Sequence, residues 1–135
     1  MSSPPARPKV FVVGFSKTAT TTLHKFFAAN GCRSVHWSME DGRFLAGVIT
    51  TNVQSGRPIL ASIDGYDVYS ELSYAGGSVY LEANCYFKEL HAAYPDAYFI
   101  LNVRDTESWI ASRAKHVGRS KKARGSLIEL SLIHI

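Results

Sequence analysis

The sequence predicts an α/β domain built on a parallel β-sheet flanked by helices, and three observations carry that expectation. Two short segments, Val10 to Val13 and, apart from Asn102, Tyr98 to Val103, are apolar at consecutive positions, as strands without a solvated face are. Each is followed by a stretch with helix-start signals, and a strand-helix-strand-helix order folds as a parallel sheet with right-handed crossovers. Finally, 135 residues with 46% hydrophobic and 19% charged content suit one globular domain or part of one. That composition excludes a disordered or collagen-like chain. No apolar run reaches the ~18 residues that a membrane-spanning helix requires.

In chain order, residues 1–8 read as a disordered arm containing three prolines and no apolar signal segment, which points to a cytoplasmic chain. Residues 9–135 form the α/β domain. Val10-Phe-Val-Val-Gly14 is the first strand. Thr20 to Asn30 follows as a helix with Leu23, Phe26 and Phe27 on one face and Gly31 as its stop. Ser34 to Trp37 reads as a short strand and Phe44 to Gln54 as a helix closed by Ser55-Gly56 and Pro58. Asp64 to Ser78 is rich in turn residues and tyrosine, with room for a strand near Val68. Glu82 to Tyr94 reads as a helix stopped by Pro95. After the Tyr98 strand, Asp105 is placed to cap a helix from Glu107 to Val117.

Charge is unevenly placed. The net charge is +4, yet six basic residues and no acid lie between Arg113 and Arg124, so the remainder is net negative. Such a stretch is either a solvated helix face or a rim for a polyanionic ligand. No nucleic-acid motif accompanies it, and nucleic acid is not expected as a partner. Cys32 and Cys85 are too few for a disulfide framework and fit a reducing compartment with both thiols buried.

The segment Gly14 to Leu23 joins the first strand to the first helix. Threonine occupies four of the five positions 18–22. Branching at Cβ makes threonine a poor helix former, so helix propensity does not account for the cluster. Anion binding does: a helix N-terminus offers unpaired N–H groups and a positive dipole end, to which hydroxyls and the Lys17 ammonium add donors. The alternative is an N-capping cluster beside a surface lysine. This is not a nucleotide-kinase loop, which places its lysine after a second glycine. Here Lys17 precedes the threonines.

Ser16-Lys17-Thr18-Ala19-Thr20-Thr21-Thr22-Leu23 resembles the 5′-phosphosulfate loop of sulfotransferases that use 3′-phosphoadenosine 5′-phosphosulfate (PAPS), with Lys17 on the family lysine and Thr18, Thr20 and Thr21 on its hydroxyl positions. A second segment, Phe99 to Ser112, is similar to the family's 3′-phosphate motif: a strand ending in Arg104-Asp105, with Ser112 eight positions after the arginine. The preceding Phe87 to Ala97 resembles the helix and turn that lead into that strand. Two departures stand out. Ala19 occupies the family's glycine position, and Gly118-Arg119-Ser120-Lys121-Lys122 has the residue types of the later glycine-rich segment without its spacing. The resemblance therefore implies a P-loop-like sulfotransferase fold, incomplete at the C-terminus, as in the N-terminal part of a longer enzyme.

The resemblance implies sulfuryl transfer from PAPS to a hydroxyl-bearing acceptor, a carbohydrate or small molecule, without a metal. Ser16, Lys17, Thr18, Ala19, Thr20, Thr21 and Thr22 would hold the 5′-phosphosulfate, with Lys17 stabilising charge on the leaving phosphate. Arg104 and Ser112 would hold the 3′-phosphate, since a guanidinium donates in pairs. The alternative for Arg104 is an ion pair with Asp105 or Glu107. A general base must take the acceptor's proton. His36 is the first candidate and Glu40 the second, with Asp64 and Asp67 behind them; the alternative for His36 is a packed, hydrogen-bonded histidine. His24 and His91 read as surface or half-buried. Trp37, Tyr66, Tyr69 and Tyr74 are candidates for an acceptor pocket or for the core. A second function class remains open: an inactive module of the same fold that binds a nucleotide or polyanion.

Overall fold

The computed structural model describes residues 7–14, 19–103 and 105–118. Its centre is a four-stranded, all-parallel sheet in the order β2-β3-β1-β6. The strands are β1 (Val10–Val13), β2 (Ser34–His36), β3 (Val68–Ser70) and β6 (Tyr98–Leu101). Helices α1 (Thr20–Ala29), α2 (Leu45–Gln54), α3 (Phe87–Ala93) and α4 (Thr106–Gly118) alternate with them. A small antiparallel hairpin, β4 (Ser73–Gly76) with β5 (Val79–Glu82), leads through a 3-10 turn (Ala83–Tyr86) into α3.

The strand order decides where a ligand can sit. From β1 the chain moves two places along the sheet to β2, returns through β3, and then crosses to the other side of β1 for β6. The sense of winding reverses at β1, and open α/β sheets bind ligands outside the carboxyl ends of their strands at such a reversal. The loop after β1 and the loop after β6 leave side by side, because Val13 pairs with Leu101 and the Asn102 amide donates to the Val13 carbonyl at 3.2 Å.

The core explains why β1 is central. Phe11 is fully buried between the rings of Tyr69, at 5.3 Å, and Phe99, at 5.4 Å. Val35, Leu45, Ile49, Leu60, Ile63, Leu72 and Leu90 complete one continuous cluster. Lys9 fastens the amino end of the sheet by donating to the carbonyls of Asp64 and Tyr66, both at 2.7 Å. Arg7 donates to the Gly31 carbonyl at the turn after α1.

Several sequence expectations need correction. The helix expected over Glu82 to Tyr94 begins only at Phe87, because Glu82 closes β5 and Ala83–Tyr86 make a 3-10 turn. The hairpin itself was not anticipated; its strands close over Gly77-Ser78, with Gly77 at φ +59, the left-handed conformation that two-residue hairpin loops require. Phe26 is 59% exposed on α1, in edge-on contact with Phe27 rather than in the core. Cys85 is exposed and Cys32 half-buried, both as free thiols. The basic stretch expected from Arg113 to Arg124 falls largely outside the described residues. No helix among the described residues is long and apolar enough to cross a membrane.

Candidate functional site

Backbone strain marks the carboxyl edge of the sheet. Among the described residues, non-glycine residues with positive φ are Ala19, Trp37, Ser62 and Glu71. Ala19 ends the loop after β1, while Trp37 and Glu71 immediately follow β2 and β3. Left-handed backbone costs an L-residue about 1–2 kcal/mol, and such strain concentrates where function requires a particular geometry.

At this edge three elements exchange hydrogen bonds. The Thr20 hydroxyl, at the first turn of α1, donates to Glu71 Oε2 at 2.7 Å and lies 3.2 Å from His36 Nε2. Thr20 and Glu71 are buried, and His36 is half-buried. The His36 ring stands 5.5 Å from that of His24, whose Nδ1 is 2.7 Å from the Ser34 hydroxyl. Burial, and then the nearby His24, hold the His36 imidazole below the ordinary histidine value of 6.5. Burial, with Lys25 beside it, does the same for His24. Both rings are therefore neutral at neutral pH.

Next to His36, the aromatic rings of Trp37, Phe44 and Tyr74 cluster. Phe44 lies 4.8 Å from Trp37 and 4.6 Å from Tyr74. Trp37 keeps 41% of its surface exposed, so this wall faces solvent. Gly76 makes room for it, since a Cβ there would meet the Tyr74 hydroxyl at 2.6 Å.

A second carboxylate, Glu82, accepts hydrogen bonds from Ser73, Tyr80 and Asn84. The Asn84 carboxamide also grips Gly14 from both sides, accepting from its amide at 3.2 Å and donating to its carbonyl at 3.0 Å. This is the hydrogen-bond pattern of a neighbouring strand, supplied by one side chain, and it fixes the point where β1 gives way to its loop. Beside β1, the Asn102 Nδ2 atom is buried and has no hydrogen-bond partner among the described residues. An unmet buried donor costs about 1–3 kcal/mol, and an oxyanion would satisfy it.

The chain belongs to the sulfotransferase family. This is shown by the family described as Sulfotransferase domain, which matches residues 9–133. No curated protein and no solved structure gives a match. Membership means sulfuryl transfer in general.

The expected sulfotransferase residues divide as follows. His36 and Thr20 come together. Thr21 and Thr22 lie exposed on the first turn of α1. Ser16, Lys17, Thr18 and Arg104 lie outside the described residues. Ala19 has φ +66, so alanine stands in a glycine-type conformation, and it gives α1 no side-chain cap. Ser112 is half-buried on α4, whose start is capped by Asp105 accepting from the Glu107 and Ser108 amides at 3.2 and 3.1 Å. Glu40 is exposed in the turn after β2.

Asp64 and Asp67 precede β3 and so lie at the opposite end of the sheet from His36. Asp67 is spent on the Arg33 amide at 2.8 Å and on the Arg33 guanidinium. Tyr66 and Tyr69 pack at that same end, and the Tyr69 hydroxyl is buried against the Ile63 carbonyl at 2.6 Å. Sequence reasoning did not single out Glu71, Glu82, Asn84 or Asn102; Glu71 and Asn84 make contacts 51 and 70 positions away in sequence, whereas Glu82 bonds within its own hairpin and the turn after it. Among the described residues, no group of three or more His, Cys, Asp or Glu side chains could hold a metal ion.

Proposed function

We propose that this chain transfers a sulfuryl group from PAPS to a hydroxyl acceptor, with His36 as general base. The supporting observation is the hydrogen-bonded contact of His36 with Thr20, which joins the candidate base to the helix that opens directly after the donor loop. A neutral imidazole with a lowered pKa is ready to accept a proton at neutral pH. The acceptor oxygen forms a bond to sulfur, the bond from sulfur to the 5′-phosphate oxygen breaks, and the acceptor's proton passes to His36. The exposed wall of Trp37, Phe44 and Tyr74 beside His36 suits an acceptor with an apolar or ring-shaped face.

The residues present fit the donor. Asn102 offers a buried Nδ2, without a partner among the described residues, beside the root of the β1 loop. The first turn of α1 carries no acidic residue to repel an anion. Lys17, the Thr18, Thr21 and Thr22 hydroxyls and the backbone amide of Thr20, whose hydroxyl is engaged by Glu71 and His36, would hold the 5′-phosphosulfate, and Arg104 with Ser112 the 3′-phosphate. The direct test is transfer of radiolabelled sulfate from PAPS to panels of sugars, phenols and alcohols. Labelled product that disappears in His36→Ala supports the proposal; a folded chain that binds the donor and labels no acceptor contradicts it. One observation favours the second reading, an inactive nucleotide-binding module: the left-handed backbone at Ala19 strains the donor loop.

A further inference from the structure

We infer that Glu71, acting through Thr20, holds His36 in the tautomer protonated at Nε2 and so makes Nδ1 the proton-accepting atom. This inference rests on the reading of His36 as the base. The reasoning is a count of protons. A threonine hydroxyl has one hydrogen and two lone pairs. An ionised carboxylate only accepts, and hydrogen bonds to charged acceptors are the shorter and stronger ones. The Thr20 hydroxyl lies 2.7 Å from Glu71 Oε2 and 3.2 Å from His36 Nε2, so its hydrogen goes to Glu71. What it turns toward His36 is a lone pair. The neutral imidazole then meets that lone pair with Nε2–H, which leaves the Nδ1 lone pair open.

The surroundings agree with a dedicated arrangement. Glu71 is buried, and its backbone is held at φ +59, immediately after β3. A carboxylate in that position is expensive in two ways, through desolvation and through backbone strain. Its hydrogen bond to Thr20 is separate from those that secure Gly14, which come from Asn84. The other titratable ring near His36 is His24, 5.5 Å away and bound to Ser34 rather than to His36. Glu71 is thus a positioning residue, and the reacting group is His36.

The test is long-range proton–nitrogen NMR of the full chain with 15N-labelled histidine at pH 8, where His36 is neutral. The expected spectrum has a pyrrole-type Nε2 and a pyridine-type Nδ1 on His36. Glu71→Leu should shift it toward a mixture of tautomers, whereas Glu71→Gln, whose side-chain carbonyl still accepts from Thr20, should keep the original pattern. In the transfer assay Glu71→Leu should lose about tenfold or more in kcat with little change in donor KM, and Glu71→Gln should recover most of it. A wild-type His36 protonated at Nδ1, or an unchanged spectrum in folded Glu71→Leu, overturns the inference. Because the spectrum needs no turnover, the tautomer result stands even if no acceptor is sulfated, and that failure would fall on the functional reading alone.

Discussion

Two carboxylates sit beyond the carboxyl end of the parallel sheet, Glu71 directly after β3 and Glu82 as the last residue of β5, and the protein uses them in opposite ways. Glu82 is surrounded by donors from Ser73, Tyr80 and Asn84, and through Asn84 it secures Gly14. Its backbone is unstrained, at φ −121. Glu71 takes the Thr20 hydroxyl, sits on left-handed backbone, and reaches His36 through that hydroxyl. One carboxylate fastens a loop; the other, in the proposed reading, orients the base. The contrast teaches that accepting hydrogen bonds does not by itself mark a functional acid, since both carboxylates do so. What separates the two is burial and backbone strain at Glu71, together with a partner that contacts a histidine.

The largest expected effect tests the Glu71 side. His36→Ala should lower kcat about 100- to 10,000-fold while leaving binding of the nucleotide product unchanged in calorimetry. A loss of nucleotide binding instead would place His36 in the donor site. On the Glu82 side, Glu82→Ala removes the acceptor of the buried Ser73 hydroxyl and should cost about 1–3 kcal/mol in urea unfolding. If stability held and only turnover fell, the contrast between the two acids would fail. Asn84→Ala should cost about 1–2 kcal/mol and raise donor KM with kcat nearly constant, since it frees Gly14 without touching the base.

Ala19→Gly should stabilise the chain by about 1 kcal/mol by relieving left-handed strain, seen as a rise of a few degrees in Tm. Tighter donor binding in the same variant would show that the alanine distorts the loop. The smallest effect is in pH. His36 and His24 both have lowered pKa values in the fold, so above pH 6.5 neither adds a penalty. As pH falls through 6.5 the unfolded chain takes up protons first, and stability should decline until the folded rings titrate too. Activity should persist below pH 6.5 further than an ordinary histidine base would allow, a result that a pH profile of kcat/KM checks directly.

Much of the scaffold was legible in local sequence. An unbroken apolar run announced β1, Gly31 ended α1, and Asp105 capped α4 as expected. Period and turn chemistry encode such features within a few residues. The hairpin was hidden in a tyrosine-rich stretch, although Gly77-Ser78 between Tyr74 and Tyr80 was a usable signal. The late start of α3 follows from Glu82, whose carboxylate is drawn into the hairpin's hydrogen bonds. In the candidate site, His36 was legible because it follows the first helix at a strand end. Glu71 was not, since nothing within its own segment reveals a hydroxyl that lies 51 positions earlier.

β6 shows a related limit. Its composition matches that of β1, yet Tyr98 and Leu101 are 65% and 70% exposed while Phe11 and Val12 are fully buried. Sequence pattern reports what a strand can bury. Position in the sheet decides what it does bury, and β6 lies at the edge of the described sheet.

In the proposed reading, the edge between β1 and β6 is a site for a nucleotide charged at both ends. The most direct measurement is calorimetric titration of the folded chain with 3′-phosphoadenosine 5′-phosphate, alongside ADP, which lacks the 3′-phosphate, and with Arg104→Ala as a control. The expected result is saturable binding of the first nucleotide, much weaker binding of ADP, and loss of that preference in Arg104→Ala. A folded chain that binds neither nucleotide, or binds both alike, would contradict it.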